Sequence, residues 1–132
     1  MKPKQVLLIE QMKHLQELGL DTSDASMCLE WKVTDEDNMF VNSIISDSNY
    51  DFYHPTYTLQ DILEKLPRKI ETETDTYWLT VSLNMEVWYI CYSMSDEFDY
   101  YKEFSSVSLM DCAYEMLCWT IEQEYLQLNK ER

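Results

Sequence analysis

The sequence contains a single glycine, Gly19, in 132 residues. A phosphate-cradling loop needs several glycines so that backbone N–H groups can close on the ligand. That scarcity excludes the Walker and Rossmann forms of nucleotide binding. Histidine is nearly as scarce, with only His14 and His54, far apart in the chain. A transition-metal site built on Cys and His at short spacing is therefore not readable here. The four cysteines, Cys28, Cys91, Cys112 and Cys118, form no C-x-x-C pair. They read as reduced, buried thiols of a cytoplasmic protein. Cys112 and Cys118 are six apart on one expected helix and point to different sides, so they share neither a metal nor a bond.

Basic residues are the next shortage. Ten Lys and Arg stand against 25 Asp and Glu, for a formal net charge of −15. From His14 to Glu64 the only base is Lys32, and from Ile70 to Asn129 it is Lys102. Lys65, Arg68 and Lys69 make the one internal basic cluster. Phosphate neutralisation needs more than that, so direct nucleic acid binding and adsorption to an anionic membrane are both disfavoured. A basic protein partner is electrostatically favoured. No apolar run approaches the ~18 residues of a membrane helix. The first eight residues, with two lysines and helical spacing, read as the start of a helix rather than a signal peptide.

What the chain has is apolar and aromatic mass. Hydrophobic residues make up 45%, with 4 Trp, 10 Tyr and 4 Phe. This rules against disorder and suffices for one core, so residues 1–132 are expected to form a single acidic domain.

The pattern predicts an α+β fold: an antiparallel β-meander of three or more strands packed against about three helices, the last of them long. The first helix is expected from Pro3 to Leu18, ending at Gly19. Strands are expected over Met27–Val33 and Met39–Ile45, and a loop over Ser46–Pro55. A second helix opens at Thr58 with a Thr-x-x-Asp cap and ends at Pro67. Thr76–Leu83 alternates cleanly, and a tight connection at Asn84–Glu86 leads to Val87–Met94. That strand is apolar on both faces, which predicts cover on both sides. Tyr100–Phe104 is the third strand of the meander. The final helix is expected over Leu109–Leu128, capped by Ser108 and Asp111. Apart from the stripe Asp111, Glu115 and Glu122 it is almost wholly apolar, as a buried helix is.

Three stretches carry a resemblance: Leu18 to Met27 after the first helix, Thr58 to Pro67, and Asp111 to Trp119. Together they resemble small uncharacterised proteins of phages, prophages and other mobile elements of gut anaerobes. The resemblance implies an accessory role in such an element. It brings no activity, cofactor or catalytic residue with it.

No catalytic or metal-ligating set stands out, and no cofactor is implied. Asp35, Glu36, Asp37 and Asp96, Glu97, Asp99 lack the Gly and the later Glu of a calcium loop and read as solvated turns. Two function classes and a weaker third remain. A protein–protein interaction module or homodimer would use large aromatics, and Trp78, Trp88, Tyr92 and Trp119 are the candidate interface residues. Against this, each of the four also suits a monomer's core. An acidic mimic of nucleic acid would use the carboxylates against a host DNA-binding protein, although acids in separate turns suit plain solubility as well. An enzyme would need a pocket at Tyr50–Tyr57 with His54 as its only candidate base.

Overall fold

A computed structural model describes residues 6–31, 39–43, 53–94 and 100–126, with the backbone alone at 28–31, 39–43 and 53–54. The expected α+β architecture is present. Helices α1 (Ile9–Glu17), α2 (Leu59–Lys65) and α3 (Leu109–Glu122) accompany strands β1 (Met27–Trp31), β2 (Met39–Ser43), β3 (Tyr53–Thr56), β4 (Lys69–Glu71), β5 (Thr76–Asn84), β6 (Val87–Ser93) and β7 (Tyr100–Ser106). The strands form two antiparallel sheets, one in the order β2-β1-β3 and the other β4-β5-β6-β7.

Helix α1 starts six residues later than its periodicity suggests. Leu7 N–H donates to the Tyr57 carbonyl at 3.0 Å, Thr56 Oγ1 donates to the Leu7 carbonyl at 2.7 Å, and Val6 bridges Thr58. These contacts hold Val6–Leu8 extended, and Pro3 lies outside the described residues. Gln11 Oε1 accepts from the Leu8 N–H at 2.9 Å and caps the start. Gly19 ends the helix with φ of 105°, a left-handed value that glycine tolerates best. Its N–H bonds the Gln16 carbonyl, and the Leu20 N–H bonds that of Leu15, the paired bonds of a Schellman cap.

The loop expected over Ser46–Pro55 is corrected at its end. Tyr53–Thr56 is strand β3, paired in backbone register with β1 from Glu30↔Tyr53 to Met27↔Thr56. Pro55 hides this from sequence, yet β3 is an edge strand, where a missing N–H is tolerated. Helix α2 has the full capping box. Thr58 Oγ1 accepts from the Asp61 N–H at 3.1 Å, and Asp61 Oδ2 accepts from the Thr58 N–H at 2.9 Å.

Strand β5 meets β6 in a two-residue hairpin whose first turn residue, Met85, has φ of 60°. Two-residue hairpins need a positive φ there to match the strand twist. Strand β4 was not foreseen, being three residues with charged side chains at both ends. Helix α3 stops at Glu122, six residues short of expectation. Glu124 turns left-handed with φ of 64°, and the Tyr125 and Leu126 N–H groups return to the Thr120 carbonyl.

One core joins these elements. Met110, Cys112, Ala113, Met116, Leu117 and Ile121 of α3 pack with Ile90 and Tyr92 of β6, Ile70 of β4, Ile62 of α2 and Leu7, Met12 and Leu15 from the start of the chain. The reading of α3 as a mostly buried helix is correct. Strand β6 carries buried residues on both faces, Ile90 and Tyr92 on one and Cys91 and Ser93 on the other. Trp88, Ile90 and Tyr92 face α3, whereas the opposite face carries no helix among the described residues.

Candidate functional site

The face of the larger sheet opposite α3 holds a concavity. Its cavity measures about 670 Å³ and is lined by Trp78, Thr80, Ser82 and Asn84 of β5, by Tyr89, Cys91 and Ser93 of β6 with Met94 after it, and by Tyr100 and Glu103 of β7. Register explains the grouping. Trp78 stands opposite Ser93, which stands opposite Tyr100; Thr80 stands opposite Cys91, which stands opposite Glu103. Alternation then puts their side chains on one face. A register shift beside Ser93 lets Tyr100 join this face while Tyr101 turns to the helix side.

The rim is aromatic and the floor polar. Trp78 is 48% exposed and Tyr100 is exposed beside it. Lys69 Nζ lies 5.4 Å from the Trp78 ring centroid and 3.0 Å from Glu71 Oε2. On the floor, Thr80 Oγ1 and Ser93 Oγ are 3.4 Å apart. Cys91 is buried there; burial pushes its thiol up, Glu103 adds to this, and the Ser93 hydroxyl opposes it. A thiol so placed is protonated near neutrality and is a poor nucleophile. Among the described residues no histidine lines the cavity.

The four candidate interface residues separate. Trp78 alone is on the open face. Tyr92 has 0% exposure, and its hydroxyl donates to the Pro67 carbonyl at 2.7 Å, so it belongs to the core and has no surface to present. Trp88 is half-buried on the helix side, packed against the core. Trp119 sits in an aromatic cluster at the α3–β7 edge, 6.0 Å from Tyr101, 5.4 Å from Tyr125 and 6.4 Å from Tyr92, with Lys102 Nζ 5.8 Å over its ring. Sequence reasoning missed Tyr100, Tyr89 and Met94. Trp78 shared its alternation with Thr80 and Ser82, and that polar company was the available signal for the open side.

The basic cluster is divided. Lys65 pairs with Asp24 and lies 5.3 Å over the Tyr57 ring, while Lys69 pairs with Glu71. Around Lys65 a polar latch holds the 21–26 loop to α2. Tyr57 Oη donates to Asp24 Oδ1 at 2.8 Å, and Ser26 Oγ donates to Asp61 Oδ2 at 2.6 Å. Burial raises the Asp24 carboxyl, but hydrogen bonds from Lys65 and Tyr57 outweigh it and the net shift is downward.

The acidic turns Asp35–Asp37 and Asp96–Asp99 lie outside the described residues, as do Tyr50–Phe52 and the His54 side chain. Among the described residues no group of three His, Cys, Asp or Glu is placed to hold a metal, and no helix is long and apolar enough to cross a membrane. No protein-family model matches the chain, and neither a curated protein nor a solved structure matches it.

Proposed function

We propose that the chain is a non-catalytic interaction module that docks a partner protein on the open face of the β5-β6-β7 sheet. The exposed Trp78 over a mixed polar and aromatic concavity carries this reading. Protein interfaces are enriched in Trp, Tyr and Met and depleted of charge at their centre, and the lining has that composition, with Glu103 the one charged residue among the described lining residues. Burial holds the thiol on the floor protonated, which favours binding over chemistry. An accessory role in a mobile element, implied by the three family-like stretches, suits such a module. The overall acidity favours a partner with a basic surface, one of whose bases meets Glu103.

The experiment is affinity capture of partners from a host lysate at low and high salt, with the wild type and Trp78→Ala in parallel. A partner held at both salts by the wild type and lost by Trp78→Ala is the expected result. Truncating a central Trp of an interface costs about 2 kcal/mol or more, roughly a thirtyfold loss of affinity. A partner released by salt and indifferent to Trp78 would instead support the acidic mimic.

A further inference from the structure

Strand β5 outruns its neighbour. Strand β4 covers only Thr76–Trp78, and the last ladder bond on that side runs from the Leu79 N–H to the Arg68 carbonyl at 2.9 Å. From Thr80 to Asn84 the β4 side of β5 is an open edge among the described residues. Backbone groups of alternate residues point to the same side of an antiparallel strand. Leu79 points toward β4, so the N–H and C=O of Val81 and Leu83 point into the open edge. Their side chains are 39% and 53% exposed on the helix-side face. Folded proteins guard such edges with lysine, proline or a bulge. The segment Thr80-Val81-Ser82-Leu83-Asn84 has no charge, no proline and no glycine.

We infer that this edge pairs with the same edge of a second copy, antiparallel and two-fold symmetric about Ser82. The segment is self-complementary in that register. Val81 stands opposite Leu83 of the second copy and Leu83 opposite its Val81, which satisfies all four open backbone groups and joins the exposed apolar side chains. Thr80 meets Asn84 of the second copy, and Ser82 meets Ser82, all on the other face. Beyond the paired segment the hairpin tip of one copy abuts the end of β4 in the other. The charged side chains flanking the seam are then Glu86 of one copy and Arg68 of the other, of opposite sign. The inference rests on the backbone edge of β5 and not on Trp78 or Tyr100, although Thr80, Ser82 and Asn84 also line the concavity of the partner-docking reading.

Two measurements test it. A two-fold antiparallel pair brings only the on-axis residue against itself, with Cβ atoms about 4.5–5.5 Å apart. Under mild oxidation Ser82→Cys is expected to give a covalent dimer in several-fold higher yield than Thr80→Cys, Asn84→Cys or the wild type. Equal yields would overturn the register. Each copy carries a net charge of −15, so screening should favour association. The wild-type dimer fraction in sedimentation is expected to rise from low to high salt and to be lost in Leu83→Glu, whose side chain is already exposed. A wild type that sediments as a 15.9 kDa monomer at every salt and at high protein concentration would overturn the pairing itself.

Discussion

The Tyr92 hydroxyl donates a 2.7 Å hydrogen bond to the Pro67 carbonyl, tying the centre of the larger sheet to the second residue after α2. Tyr92 is fully buried, and burial raises its phenol, so it stays protonated and remains a donor across the working pH range. Tyr92→Phe removes the donor and leaves the carbonyl without it, at a cost of about 1–2 kcal/mol. The urea midpoint should fall while the circular dichroism of the native state stays unchanged.

Asp24 makes stability depend on acid. Its carboxyl is lowered in the folded state by Lys65 and Tyr57, against the raising effect of burial. A lowered carboxyl stabilises the fold above its unfolded value, about 3.9, and that contribution is lost as pH falls through the folded value. The stability gap between the wild type and Asp24→Asn should therefore be present at pH 7 and close below pH 4. Thermal melts of both proteins across that range check the sign.

Two residues of adjoining strands should behave oppositely on truncation. Ile90 is fully buried on the helix side, and Ile90→Ala should cost about 2–5 kcal/mol through the lost burial and the cavity left behind. Trp78 is on the open face, and Trp78→Ala should change stability by no more than about 0.5 kcal/mol. Denaturant titration of both variants separates a packing residue from one kept for its surface.

Glu103 should slow the chemistry of Cys91. Its charge raises the buried thiol, though burial is the larger cause. In Glu103→Gln, alkylation of Cys91 at pH 8 should proceed faster than in the wild type, because more thiolate is present. An unchanged rate would mean that access alone limits the reaction.

Local chemistry made much of the fold legible. The capping box at Thr58, the glycine after α1 and the alternation of Thr76–Leu83 each act within a few residues, and each is where it was expected. The errors came from long-range pairing. Val6–Leu8 has helical spacing but is held extended by the distant Thr56–Thr58, and β3 is a strand because β1 lies beside it. The same limit governs the site. Alternation shows that Trp78 and Tyr92 lie on opposite faces, since Leu79, not Trp78, stands across from Tyr92. Which face receives α3 depends on packing, so the two aromatics looked equal in sequence and differ completely in exposure.

The most direct test of the docking face is hydroxyl-radical footprinting of the protein with and without its captured partner. Trp78, Met94 and Tyr100 should be protected by the partner, while Tyr101, Trp119 and Tyr125 at the α3–β7 edge keep their reactivity. Protection of the Trp119 cluster with Trp78 unchanged would contradict the account and move the interface to the opposite side of the sheet.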